Sequence, residues 1–304
     1  MKSLVKSINQ LKKERNAVIL AHTYTRPEVQ DIADFIGDSY GLAKKAAETN
    51  GFDTIVFAGV RFMAETAKIL SPQKKVLLPA ADAGCPMADM INEQQLANFK
   101  NEHPDFAVVC YVNSDVKTKA LSDVCVTSSN AVKIVKKLDA DKILFVPDKH
   151  LGSFVAEQVP EKEIVCWEGF CPIHNSIKPE HVIEAKKLVP DAVVLMHPEC
   201  SSEARKTADY ILSTGQMEEL VKEKKYKRYI IVTESGIGYP LSKADSEAEF
   251  IELPSAPLVC PDMKKIMLTD ILKSLEENSY EIVIPQAVEK QAKAALVKML
   301  ELAK

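Results

Sequence analysis

Three of the seven cysteines in this chain stand directly before a proline: Cys85 in AGCPMAD, Cys171 in GFCPIHN and Cys260 in LVCPDMK. Thiolates are metal ligands, and a proline fixes the φ angle of the residue that follows the cysteine. One such cysteine alone reads equally well as a buried turn residue. Three in the same local form favour a shared metal site. The residues leave its kind open. Zinc on three cysteines and water is one possibility, with His174, three residues after Cys171, available to close the site with nitrogen. The other is an iron–sulfur cluster on three thiolates, whose fourth iron stays free to act as a Lewis acid. No compact C-x2-C spacing decides between them.

A second set of residues suits acid–base chemistry and anion binding. His22 and Tyr24, Tyr111 and Asn113, and His197 and Glu199 form three i,i+2 pairs at the ends of apolar runs. In a continuing strand such pairs share one face. Ser39, Ser128 and Thr214 stand just before or at helix-like stretches. Taken singly they read as helix N-caps. Three in register beside His and Tyr suggest a further role, since free N–H groups at helix starts suit phosphate or carboxylate. No GxxxxGK[ST] or GxGxxG loop is present, so a nucleotide cradle is not indicated.

The elements that position these groups repeat three times. ILAHTYT, VCYVNSD and LMHPECS align on His22, Tyr111 and His197, and the helical patterns after them align on Ser39, Ser128 and Thr214. The apolar runs TIVFAGV, ILFVPDK and IIVTESG follow, then VLLPA, IVCWEG and FIELPS, and a Cys-Pro segment closes each unit. Short apolar runs alternating with helical stretches predict parallel βα units. The expected fold is therefore α/β, as three pseudo-symmetric three-layer α/β/α domains with parallel sheets around a central pocket. Their expected bounds are 1–104, 105–190 and 191–304, with a C-terminal helix that packs back on another unit. In parallel α/β domains ligands sit beyond the carboxyl ends of the strands, where the marked residues fall.

The bulk properties narrow the classes. The chain has 304 residues, 27% of them charged, and a net charge of -4, so no polybasic surface for nucleic acid or membrane is expected. No apolar run reaches membrane-spanning length, and the basic N-terminal helix lacks the apolar core of a leader, so the expected location is the cytoplasm. Seven cysteines, an odd number spread over a long chain, argue against a disulfide framework. Cys110, Cys125 and Cys166 read as core residues, Cys200 is undecided, and His103 and His181 read as surface or helix residues. Arg61 and Lys149 are candidates for positive charge near the pocket or for interdomain ion pairs, and His150 has no assigned chemistry.

ILAHTYTRPEVQDIADFIGDSYGLAKKA, GVRFMAETAKIL, CPMAD, YVNSDVKTKALSDVCVTSSNAVKIV, PDKHLG, GFCPIH, HPEC and STGQM together resemble the quinolinate synthase family over about residues 12–285. The resemblance implies three homologous α/β domains and one [4Fe-4S] cluster per chain with an open iron, on Cys85, Cys171 and Cys260. It implies condensation of iminoaspartate with dihydroxyacetone phosphate to quinolinate, phosphate and two waters in NAD biosynthesis. The implied acid–base residues are Tyr24, His197 and Glu199, and the implied substrate-binding residues are His22, Ser39, Tyr111, Asn113, Ser128, His174 and Thr214. The expected partners are the two substrates and a transient contact with the enzyme that makes iminoaspartate, with no nucleic acid and no membrane. Thr23 stands where the family usually has Asn, and Cys260 is followed by PDMKK rather than by further cysteines, which puts a local redox switch there in doubt. A zinc hydrolase or lyase, and a closed redox-sensing cluster protein, are the rival readings.

Overall fold

The computed structural model describes residues 2–304. Twelve strands form three separate four-stranded sheets, each with every neighbouring pair parallel. The first unit contains β1 (Ala17–His22), β2 (Phe35–Gly37), β3 (Thr54–Ala58) and β4 (Lys75–Leu77). The second contains β5 (Ala107–Tyr111), β6 (Val124–Val126), β7 (Lys142–Val146) and β8 (Glu163–Cys166). The third contains β9 (Val193–Met196), β10 (Tyr210–Ile211), β11 (Arg228–Val232) and β12 (Glu249–Ile251). Strand order is β2-β1-β3-β4, and the same order recurs in the other two units. Helices between the strands cover both faces, which makes each unit a three-layer α/β/α domain. Such burial explains why β1 and β3 read as unbroken apolar runs rather than as alternating ones: every residue of both is buried.

The order carries a functional consequence. From the first strand of each unit the chain moves to one side, then crosses back to the other. A crevice opens beyond the carboxyl ends at that reversal. β1 ends on His22, β5 on Tyr111, and β9 one residue before His197.

A short aspartate motif repeats with the strands. The side chains of Asp34, Asp123 and Asp209 each accept from a backbone N–H at the start of the first strand of their unit. The donors are Ile19 (2.8 Å), Val108 (2.7 Å) and Val194 (2.8 Å). Each aspartate's own N–H donates to the carbonyl of the same residue, at 2.9, 3.0 and 3.1 Å. A lysine pairs with each carboxylate, Lys12, Lys100 and Lys186 in turn. These contacts place the brief strands β2, β6 and β10, which apolar periodicity does not reveal because they are only two or three residues long.

After the third sheet the chain returns to the first two units. Ile282 N donates to Val76 O (2.8 Å) and Leu78 N to Tyr280 O (3.1 Å), so the segment near 280 covers the edge of the first sheet. The Leu268–Glu277 helix packs on the N-terminal Lys2–Glu14 helix, and the final Gln286–Leu302 helix lies across Val116–Ala120 and β6. Lys133 and Lys137, from the second unit, donate to the carbonyls of Leu302, Ala303 and Lys304 at the end of that helix, where a positive charge also opposes the helix dipole. The first two units thereby share a continuous apolar core, whereas the third has a separate cluster on each face of its sheet.

Candidate active site

The ten polar residues marked from the sequence, and the three cysteines before proline, all border one cavity at the meeting of the three units. The i,i+2 pairs reach it differently from the strand rule. β1 stops at His22 and β9 at Met196, so Tyr24, His197 and Glu199 lie on the turns beyond their strands. In both turns the second residue's backbone N–H donates to the first residue's Nδ1: Tyr24 to His22 at 3.1 Å, Glu199 to His197 at 3.3 Å. That contact makes Nδ1 the acceptor and leaves the proton of a neutral ring on Nε2. Thr23, between one such pair, is fully buried and does not border the cavity.

The helix starts also differ from the capping expectation. Asp38, not Ser39, caps the Ser39–Glu48 helix, by accepting from Gly41 N at 2.8 Å. Ser213, not Thr214, caps the Thr214–Lys222 helix. Ser128 precedes Asn130, whose Oδ1 accepts from Thr127 N at 2.7 Å. The three registered hydroxyls are thus released from capping and remain at the cavity wall.

A chain of hydrogen bonds crosses all three units. Tyr24 Oη, from the first, lies 2.9 Å from Thr214 Oγ1 and 2.6 Å from Thr233 Oγ1, both of the third. Thr233 Oγ1 is 2.9 Å from Nε2 of His174, which belongs to the second. His174 Nδ1 is 2.7 Å from Glu199 Oε2, and Tyr111 Oη donates to Glu199 Oε1 at 2.6 Å. With Glu199 ionised and one proton on the His174 ring, a single assignment satisfies every atom: His174 donates through Nδ1, and Thr233 donates to its Nε2. The rings of His174 and His197 stack with centroids 4.8 Å apart.

Burial sets the protonation states. It lowers the pKa of His22 to about 3, with help from the Lys264 ammonium. Burial likewise lowers His197 to about 3. Both rings are therefore neutral near pH 7. Burial works against ionising Glu199, yet the hydrogen bonds from His174 and Tyr111 favour the carboxylate, and the carboxyl is held below its usual range. Burial raises the phenols of Tyr24 and Tyr111 well above their usual value. Asn113 Oδ1 is buried with no hydrogen-bond partner among the described residues. A buried, unpaired acceptor on a cavity wall fits a ligand that brings a donor.

The expected three-cysteine cluster is corrected here. Among the described residues, the group whose ligand atoms converge, all within 4.8 Å of one another, is Cys171, His174 and Glu199. Cys171 is the only one of the three cysteines in that group. The reason is local: Cys171 immediately precedes the one-turn helix Pro172–Asn175, so His174 folds back over it with Nδ1 3.3 Å from Sγ. Cys85 and Cys260 arrive on loops from the first and third units, border the same cavity, and stay outside the group. Burial pushes the Cys85 thiol up to about 12 and raises those of Cys171 and Cys260 as well. A sulfur, nitrogen and oxygen donor set suits a single borderline divalent ion rather than an all-thiolate site. His174 and Glu199 are in direct hydrogen-bond contact, however, so an ion between them would have to part them. These residues do not fit the cluster that the resemblance implies, and no chemical step is derived through it.

Several residues of the site carry no mark in the sequence reading. Asp148 and Glu234 follow the third strand of their units at one common offset, and each holds a Cys-Pro loop by its backbone: Asp148 Oδ2 accepts from Cys171 N (3.3 Å), Glu234 Oε1 from Cys260 N (3.1 Å). That offset is the signal that would have found them. Lys264 bridges Glu234 Oε1 (2.8 Å) and the Tyr24 carbonyl (2.6 Å), behind His22. The two cations marked from the sequence do not border the cavity. Arg61 donates to Ala81 O at 3.3 Å, and Lys149 pairs with Glu168 at 3.2 Å. Cys200 is buried in the core of the third unit, and His150 Nε2 lies 2.7 Å from Asn175 Oδ1.

Residues 6–301 match the sequence profile of a family described as quinolinate synthetase A protein. The chain belongs to the quinolinate synthase family. Its relatives match end to end. A quinolinate synthase of Caldicellulosiruptor saccharolyticus is 51% identical over 302 residues, 99% of each chain. That of Clostridium acetobutylicum is 51% identical over 98% of each chain, and that of Aquifex aeolicus 47% over 99% of this chain and 95% of its own. Quinolinate synthases are enzymes of NAD biosynthesis that condense iminoaspartate with dihydroxyacetone phosphate, and membership carries that enzymatic activity to this chain. Among the described residues no helix is long and apolar enough to cross a membrane.

Proposed function

We propose that the central cavity is where this chain joins iminoaspartate to dihydroxyacetone phosphate, releasing quinolinate, one phosphate and two waters. The observation that carries this reading is the hydrogen-bonded chain from Thr214 through Tyr24, Thr233, His174 and Glu199 to Tyr111. Loss of phosphate, carbon–carbon bond formation, isomerisation of the ketose part, imine closure with loss of one water and dehydration with loss of the other each move protons, and a buried relay of neutral and ionised groups serves such steps. Glu199 is the ionised member and acts as the base. Tyr24 lies within that network, His197 stacks on its His174 ring, and the two take or return protons.

Binding falls to the remaining wall. Neutral His22 offers Nε2–H, and Ser39 and Thr214 sit on the first turns of helices whose N–H groups attract phosphate. Asn113, Ser128 and Tyr111 orient carboxylates, with the unpaired Asn113 Oδ1 taking a donor from the substrate. His174 holds Glu199 in place. After the first condensation ring closure is intramolecular, so fixing both halves in one cavity contributes a large share of the rate. The reading places the reaction in the cytoplasm, where seven free thiols stay reduced. Iminoaspartate is taken there by transient contact with the enzyme that makes it.

The test is E199Q, which keeps the shape and removes the charge. Quinolinate formation from the two substrates should fall by about 10²–10⁴, the usual contribution of a general base, with KM changed little. Turnover within threefold of wild type would overturn the assignment.

A further inference from the structure

Arg205 lies outside the cavity, yet it is buried at the seam between the second and third units. Its Nη1 donates to the carbonyls of Cys200 (2.8 Å), His150 (3.0 Å) and Pro198 (3.4 Å). Its Nη2 donates to Glu157 Oε1 (2.8 Å) and Ser153 Oγ (3.1 Å), and the guanidinium lies over the Phe154 ring, 5.6 Å from its centroid. Pro198 and Cys200 are the two chain neighbours of Glu199. His150, Ser153 and Glu157 lie along one side of the Lys149–Gln158 helix of the second unit. The cap of that helix, Asp148, also accepts from Cys171 N and so ties the helix to the loop that carries His174.

Glu199 belongs to the third unit, but both hydrogen bonds to its carboxylate come from the second, from Tyr111 and His174. Their lengths depend on how the two units are held together. Arg205 Nη1 grips the backbone on both sides of Glu199 and the His150 carbonyl of the second unit's helix, and Nη2 grips two side chains of that helix. A guanidinium does this with a rigid planar fork of donors, which an ammonium on a flexible stem does not reproduce.

We propose that Arg205 is a positioning residue, a clamp that fixes the Glu199 loop against the second unit so that Glu199 meets Tyr111 and His174 together. This rests on the reading of Glu199 as the base. The clamp acts only through Glu199, so its loss must not add to the loss of Glu199.

The experiment is a double-mutant cycle of R205K and E199Q, followed by quinolinate formation, with hydrogen exchange of the 197–201 amides as a readout independent of turnover. R205K should lower kcat by about 10–100-fold at nearly constant KM for both substrates, as expected when a positioned group is misplaced. It should speed exchange at 197–201 and change turnover no further in the E199Q background. Unchanged kcat in R205K, a multiplicative effect with E199Q, or slow exchange at 197–201 would each overturn the clamp. E199Q alone decides the underlying reading: if it turns over normally, the base assignment has failed, whatever R205K does. Should R205K not fold, E157A with S153A removes the two side-chain contacts on the second unit and leaves Arg205 and its bond to the His150 carbonyl in place. The same non-additive loss is expected at smaller size, and normal turnover there overturns the clamp.

Discussion

Thr233→Val isolates the hydroxyl that joins Tyr24 to His174. Thr233 is 2% exposed, and valine matches its shape, so no cavity is created. What is lost is a 2.6 Å hydrogen bond to Tyr24 and a 2.9 Å hydrogen bond to His174 Nε2. Tyr24 keeps Thr214 as a partner at 2.9 Å, but Nε2 of His174 is left buried and unpaired. An unmade buried hydrogen bond costs about 1–3 kcal/mol, so a stability loss of about 2 kcal/mol is expected, readable as a lower urea midpoint at unchanged slope. The effect on turnover should be larger. If protons pass between His174 and Tyr24 through this hydroxyl, kcat falls by about 10²-fold or more, while KM moves little. T233S keeps the hydroxyl and should retain most of the rate. Quinolinate and phosphate, measured together, give the assay. Turnover of T233V within threefold of wild type, or T233S as impaired as T233V, would refute the relay.

Three further outcomes follow from the same geometry. His22 has a folded pKa of about 3 against about 6.5 when unfolded, so the unfolded chain alone takes up that proton between those values. Its contribution to stability is therefore complete above pH 6.5 and is lost as pH falls toward 3. Buried Asp148 and Glu234, raised by burial, push the opposite way, so the comparison is wild type against H22N. Between pH 7 and 5 the urea midpoint of wild type should fall more than that of H22N, and an equal fall would count against a buried neutral ring. Gly215→Ala would place a Cβ 3.0 Å from Asp38 Oδ2, at the junction of two helix starts that border the cavity. The expected result is a several-fold higher KM for dihydroxyacetone phosphate with a small change in melting temperature, and an unchanged KM would separate this junction from phosphate binding. Asp209→Ala removes the acceptor for Val194 N and should cost about 1–2 kcal/mol, with Asp209→Asn costing less because an oxygen remains; equal losses in the denaturant midpoint would remove the aspartate motif from the account.

The repeat of His22, Tyr111 and His197, and the continuous apolar runs before them, made three parallel α/β units legible, because burial on both faces writes itself directly into composition. The same registers marked ten polar residues that the fold gathers at one cavity. What periodicity missed was short: β2, β6 and β10 are too brief to show a pattern and depend on Asp34, Asp123 and Asp209 for their place. Thr233 and Arg205 were invisible for a different reason. Each matters through contacts made between units far apart in sequence, and nothing in its immediate neighbours announces them.

The cysteines mark the boundary between the two kinds of knowledge. Sequence alone determined that each unit ends in a Cys-Pro turn, since proline fixes the local backbone wherever the turn is placed. It did not determine which ligand atoms meet. Only the packing of the units brings Glu199 within 4.8 Å of the Cys171 and His174 pair and leaves Cys85 and Cys260 outside that group. Convergence of side chains is a property of how rigid units dock, and docking depends on helices, loops and clamps distributed over the whole chain.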